Sequence, residues 1–212
     1  MNPKSDIRHL KSPPVIGLVG RVGAGKSTVA QMMAGEGCAV VDADAIAHAV
    51  LREDDVKSRV RETFGPRVFG PDGAVDRGRL ADVVFADSGR REALERIVHP
   101  RILARIDAEL AAARAAGPRA VALDAPLILE KGLANRCDYV VYIRASAEMR
   151  QRRLQQVKGW APSEVQRRDA SQVSLKTKRD RADYSIDNSA SPEHTLTQVR
   201  RILAQVDAQQ RP

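Results

Sequence analysis

Lys26 and Ser27 close a glycine-rich run whose spacing suits it to holding a phosphate chain. Gly20 and Gly25-Lys26-Ser27 satisfy the G-x-x-x-x-G-K-[ST] pattern, with apolar Val15 to Val19 before it and a helical pattern after it. This is a P-loop. Glycines at 20, 23 and 25 permit backbone angles that a Cβ forbids, so successive N–H groups can curl around a phosphate at the positive end of the helix opening near Lys26. Gly23, Ala24, Gly25, Lys26, Ser27 and Thr28 then form the nucleotide-binding set. Lys26 serves the β- and γ-phosphate oxygens, and the Ser27 hydroxyl is a ligand for Mg²⁺. A glycine-rich turn without a ligand is the competing reading, and the agreement of strand, loop, lysine, hydroxyl and helix argues against it. Carboxylates make up the second chemical set. Cys38 to Val41 reads as a short buried parallel strand that delivers Asp42-Ala43-Asp44 at its carboxyl end, the end that faces the ligand crevice in an open α/β sheet. One of these acids is expected to cap a helix over Ala45 to Leu51 and the other to do chemistry. Arg119 to Leu123 is a further strand, and it ends on Asp124 in a Walker B pattern, an acid suited to hold Mg²⁺ through a water.

The elements that must carry these residues follow from the pattern around them. Ser27 to Gly35 is an amphipathic helix carrying Val29, Met32 and Met33. From Glu53 to about Leu110 the chain reads as helical, punctuated at Gly65-Pro66, Gly70-Pro71-Asp72-Gly73 and Asp87-Ser88-Gly89. About 60 residues of helix between strands exceeds an ordinary crossover, so this stretch reads as an insertion that could bind an acceptor. His99-Pro100 lies inside it, and a lone histidine there is more often a packing residue than a catalyst. Ala125 to Glu130 leaves the third strand through Pro126 and Leu127 and ends on another acid, and Cys137 to Ile143 is a fourth strand. Ala147 to Gln156 is a basic helix with Arg150, Arg152 and Arg153, and a second helical run covers Ser163 to Val173. Together they suit a lid over nucleotide phosphates, in which at least one arginine is expected to touch phosphate. A solvated basic face is the bland alternative. Ala182 to Asn188 gives a fifth strand, and Ser191-Pro192-Glu193 opens a last helix with Leu196, Val199, Ile202, Leu203 and Val206 at helical spacing. The expected fold is α/β, a five-stranded parallel sheet between helices in the manner of a P-loop NTPase. Its expected parts are a frayed tail over 1–14, a core over 15–52, 118–146 and 182–212, a helical insertion over 53–117 and a lid over 147–181.

Composition narrows the classes. A chain of 212 residues with 43% apolar content is long enough to bury a good core. Aromatics are only 3%, which argues against stacking platforms for single-stranded nucleic acid. The formal charge of +8 suits either nucleic acid or polyanionic small molecules, and the interleaving of bases with acids favours the second. Cys38 and Cys137 have no metal-ligand spacing and are expected to be buried thiols in a reducing compartment. No apolar core of a secretory signal and no membrane-spanning run appears, so the expected location is the cytoplasm.

With these residues laid out, the sequence resembles the dephospho-CoA kinase family from about Pro14 to Gln209. The likeness is carried by the P-loop, Val41 to Ala47, Asp76 to Leu80 with Val84-Phe85, Ile97-Val98-His99-Pro100, Asp124 to Glu130, Arg153-Leu154, Gln172 and Ala182 to Asn188. It implies transfer of the ATP γ-phosphoryl group to the ribose 3′-hydroxyl of dephospho-CoA, the last step of CoA synthesis, with ATP and Mg²⁺ required. In that scheme Asp44 accepts or orients the acceptor hydroxyl, Lys26 holds the donor, Ser27 and Asp124 manage Mg²⁺, and Arg153 closes from the lid. The implied partners are these small-molecule substrates, without nucleic acid or membrane, for a monomer or small homo-oligomer. Two departures stand out. Gly20-Arg21 replaces the family's usual Gly-Gly, and Val157 with Lys158 stands where a second lid arginine is common. The rival readings are another P-loop kinase, such as a nucleoside monophosphate kinase, and a nucleotide-regulated nucleic-acid-binding protein. A GTPase would want an Asn-Lys-x-Asp motif, and Asn135-Arg136-Cys137-Asp138 starts a strand where that motif should end one.

Overall fold

Val15–Gly20 is buried along its whole length, as expected of a strand covered on both faces in the middle of a parallel sheet. It is β1 of a computed structural model that describes residues 12–125, 128–129, 132–170 and 174–210. β1 leads to α1 (Lys26–Gly35), β2 (Ala39–Asp42) and α2 (Ala43–Val50). Next come α3 (Asp54–Phe64), a 3-10 turn over Pro66–Val68, α4 (Arg77–Phe85) and α5 (Ser88–Ala115). The remainder is β3 (Val121–Asp124), a 3-10 turn over Leu133–Arg136, β4 (Tyr139–Arg144), α6 (Ala147–Lys158), α7 (Pro162–Ala170), α8 (Leu175–Asp180), β5 (Tyr184–Asp187) and α9 (Pro192–Gln210). The chain forms two compact units, one made of the residues through Asp42 and from Leu110 onward, the other of Ala43–Glu109.

The first unit holds the sheet, in the order β2-β3-β1-β4-β5 with every pairing parallel. Alternation sorts its core. Ile16, Leu18, Ala122, Val141, Ile143 and Ile186 join Val29 and Met33 of α1 and Val199, Ile202, Leu203 and Val206 of α9 in one apolar cluster. Val19, Val121, Leu123 and Val140 are buried at the intervening positions, so both faces are covered and the strands read as near-continuous apolar runs.

The second unit is helical. In α3, Val56, Val60 and Phe64 are buried at a spacing of four, the stripe that one helix face presents. The Asp76 side chain accepts the Arg79 N–H at 3.1 Å and caps α4. The Arg61 guanidinium lies 4.0 Å from the Phe69 ring centre, and Arg79 Nη1 donates to the Phe69 carbonyl at 3.0 Å. Helix α5 continues through Pro100.

Several local expectations change. The helix after β2 begins at Ala43, not Ala45, so Asp44 sits inside its first turn, where a carboxylate meets the positive end of the helix instead of preceding it. Phe69 and Val75 form an antiparallel bridge within the stretch read as purely helical, because the Gly70 to Gly73 turn folds the chain back on itself. A short α8 stands between the lid run and β5. Cys38 is buried as expected, whereas Cys137 is only partly covered. Pro126, Leu127, Glu130, Gln172 and residues 1–11 of the expected tail lie outside the described residues, as does the side chain of Lys158.

Candidate active site

The loop from Gly20 to Lys26 takes its shape from two left-handed glycines, Gly23 at φ 76° and Gly25 at φ 90°. Both also leave room for a neighbour. A Cβ on Gly23 would come within 2.9 Å of the Leu154 side chain, and one on Gly25 would collide with the Asn188 amide. Ala24 N–H donates to the Arg21 carbonyl at 3.1 Å, closing the turn, and α1 starts at Lys26 behind Gly25, an N-cap residue with no side chain to offer. The positive end of α1 is therefore built from backbone, the arrangement that favours an anionic ligand.

Strand pairing gathers the acids. Asp124 pairs in register with Leu18 on one side and with Asp42 on the other, so the two acids stand side by side at the carboxyl ends of β2 and β3. In-register partners of a parallel pair project from the same face, here the face of Leu18 that packs on α1. Asp124 is buried and Asp42 exposed. A Mg²⁺ ion takes hard oxygen ligands, commonly one or two carboxylates plus substrate phosphates. The buried Asp124 carboxylate on the α1 face and the Ser27 hydroxyl in the first turn of α1 fit that donor set. Among the described residues no three His, Cys, Asp or Glu side chains cluster as a self-contained metal cage. Asp44 belongs to the helical unit, in the first turn of α2, with its side chain exposed.

Helices α6 and α7 meet the loop through Arg150 and Arg153 of α6 and through Arg21 of the loop itself. Arg150, 4% exposed, donates from Nε to the Val22 carbonyl at 2.7 Å and pairs through Nη2 with Asp169 of α7. Arg21, the loop's departure from the family pattern, approaches the same Asp169 oxygen at 3.6 Å. Arg153 donates from Nη2 to the Asn188 carbonyl at 3.1 Å. Its Nη1 is buried with no hydrogen-bond partner among the described residues and lies 3.3 Å from the point where a Gly25 Cβ would stand. Of the arginines in α6, Arg152 is the one left to solvent, in a loose i,i+4 pair with Glu148 at 3.8 Å.

The structure thus brings together Gly23, Ala24, Gly25, Lys26, Ser27, Thr28, Asp124 and Arg153 within one unit, while Asp44 is carried by the other. Sequence reasoning gave no role to Asn188, Thr195, Asp169 or Lys178. Lys178 is buried and its Nζ lies 3.5 Å from the Gly20 carbonyl at the mouth of the loop. Nothing in the local pattern around Lys178 or Asp169 separates them from the ordinary charges of an exposed helix. Asn188 did carry a signal, since a polar residue closing a buried strand needs a partner.

A parallel sheet of this order with a P-loop feeding α1 defines a P-loop NTPase fold. The sequence profile of the dephospho-CoA kinases matches residues 14–194. A dephospho-CoA kinase from Symbiobacterium thermophilum is 44% identical over 87% of this chain and 78% of its own, and one from Corynebacterium efficiens is 38% identical over 90% and 96%. Among solved structures, TT1252 from Thermus thermophilus superposes with a TM-score of 0.80 at 34% identity, covering 92% of this chain and 99% of that one. The chain belongs to the dephospho-CoA kinase family.

Proposed function

We propose that the protein transfers the γ-phosphoryl group of ATP to the ribose 3′-hydroxyl of dephospho-CoA, giving coenzyme A and ADP as the last step of CoA synthesis. The observation that carries this reading is the family match over 14–194, which takes in the P-loop, Asp44, Asp124 and Arg153 together. Phosphoryl transfer asks the protein chiefly for alignment and charge neutralisation. The loop amides and Lys26 grip the β- and γ-phosphates, and Arg153 adds a guanidinium donor. When bound, Mg²⁺ supplies Lewis-acid neutralisation of the phosphate oxygens, and Ser27 and Asp124 are the residues that would hold it. Asp44 accepts the proton of the attacking hydroxyl as its oxygen bonds to the γ-phosphorus and the bond to the bridging β,γ-oxygen breaks, leaving ADP.

On this reading 53–117 serves the acceptor, 147–181 is the lid, and the enzyme works in the cytoplasm as a monomer or small homo-oligomer. Among the described residues no helix is long and apolar enough to cross a membrane. An ADP-release assay with dephospho-CoA, AMP, adenosine or no acceptor tests the proposal. Stimulation by dephospho-CoA alone is the expected result, and stimulation by AMP would reassign the chain to nucleoside monophosphate kinase chemistry. Replacing ATP by GTP in the same assay reads donor preference.

A further inference from the structure

Asn188, one residue beyond β5, touches both halves of the phosphate-binding apparatus. It is 3% exposed. Its Nδ2 donates to the Ala24 carbonyl at 2.9 Å, and its Oδ1 accepts from Thr195 Oγ1, itself fully buried, at 3.1 Å. Its backbone carbonyl accepts Arg153 Nη2 at 3.1 Å, and its backbone N–H is tied to the Arg144 carbonyl at 2.8 Å. A carbonyl can only accept, so the amide must turn its NH₂ end toward Ala24. In a planar trans peptide the C=O and the following N–H point in opposite directions. With the Ala24 carbonyl held by Asn188, the Gly25 N–H is turned to the opposite side of the peptide from the Asn188 amide. Gly25 is the residue on which Asn188 packs so closely that no Cβ fits, and beside it lies Nη1 of Arg153, without a partner among the described residues.

We propose that Asn188 is a positioning residue. Its side chain fixes the Ala24–Gly25 peptide and its carbonyl fixes Arg153, so that loop N–H groups and guanidinium are presented to the triphosphate as one donor array. The inference rests on the phosphoryl-transfer reading above. It differs from a purely structural role in acting on donor binding and turnover through the Ala24–Gly25 peptide, since an alanine at 188 keeps the backbone carbonyl that Arg153 uses.

The test uses the full chain with Asn188→Ala, Asn188→Asp, Thr195→Val, Arg153→Ala and the Asn188→Ala/Arg153→Ala double variant. Calorimetry gives ADP affinity, steady-state assays give kcat and the KM for each substrate, and urea unfolding gives stability. Asn188→Ala is expected to weaken ADP binding and lower kcat by about tenfold each, leaving the KM for dephospho-CoA within about twofold, because the neutral hydrogen bond that orients the Ala24–Gly25 peptide is lost. Asn188→Asp should be worse than alanine, since it sets a second acceptor against the Ala24 carbonyl. Adding Arg153→Ala to Asn188→Ala should cost less than Arg153→Ala alone, since the Asn188 amide and the Arg153 guanidinium meet at Gly25 and groups in contact couple. Additive effects overturn the proposal, as does a folded Asn188→Ala protein with unchanged ADP affinity and kcat. Should Asn188→Ala fail to fold, Thr195→Val decides, a smaller loss in the same two constants being expected and unchanged constants overturning the proposal. A wild-type chain that binds no ADP would overturn the functional reading along with this one, whereas normal wild-type binding with indifferent variants removes Asn188 alone.

Discussion

The loop of the sheet unit, with the helices that pack on it, and the helical unit Ala43–Glu109 are held by different kinds of interaction. Around the loop, buried side chains seize backbone carbonyls: Arg150 holds Val22, Asn188 holds Ala24, and Lys178 lies at Gly20. The helical unit relies on apolar stripes, a cap and surface ion pairs such as Arg101 with Glu53 and Asp55, both at 2.8 Å. Seizing a carbonyl fixes the direction of a peptide, which is what a phosphate cradle requires. An exposed ion pair fixes very little, because solvent screens it. The difference teaches that rigidity here is concentrated where anions must be met by donors already in place.

Variants at the loop and in the helical unit can break this contrast or sharpen it. The largest effect belongs to Lys26→Ala, which should lower kcat/KM for ATP by about 10²- to 10³-fold, as loss of one charged donor at a transferring phosphoryl group does. Steady-state kinetics with varied ATP would show it. Asp44→Asn in the helical unit should cut kcat by about 10²-fold with little loss of ATP affinity, as expected of a proton acceptor. Turnover near wild type in that variant would remove Asp44 from the mechanism. Asp169→Ala leaves the buried Arg150 guanidinium without its carboxylate, and urea unfolding should report a loss of about 3 kcal/mol.

A subtler test concerns pH. Burial pushes the Cys38 thiol from 9.0 up to about 11. The folded protein therefore keeps a proton that the unfolded chain releases, so this contribution to stability is whole below about pH 9 and is lost as pH rises toward 11. Cys38→Ala should flatten that part of the alkaline decline in the urea midpoint. The smallest effect is expected from Arg101→Ala, whose exposed ion pairs should leave the thermal midpoint within about 2 °C of wild type. A large drop there would show that the helical unit depends on its charges after all.

Much of the donor side was legible because its signals are local. Gly23 and Gly25 announce left-handed backbone, Lys26 and Ser27 follow at fixed spacing, and the apolar run before them can only be a buried strand. Asp42 and Asp44 were harder, since an acid after a strand reads equally as a cap or as a reagent. The start of α2 at Ala43 settles only that Asp44 lies within the helix. Helix α6 showed its arginines but not their division of labour. Arg150 and Arg153 are three residues apart in one helix, yet one is consumed by Val22 and Asp169 while the other turns to Gly25 and Asn188. Arg21 read as an added charge beside the loop, and its neighbour proved to be Asp169, which lies 148 residues along the chain in α7.

By itself the sequence determined the order of the five strands along the chain, the phosphate-binding loop and the acids at the strand ends, because periodicity, glycine and the spacing of a motif act over a few residues. Only the tertiary structure decided that Asp124 stands in register with Asp42, which arginine grips the backbone, and that Asn188 rests on Gly25. Those choices depend on strand pairing and on contacts between segments more than a hundred residues apart. No local preference of the chain encodes such a partner, which exists only once burial has brought the two segments together.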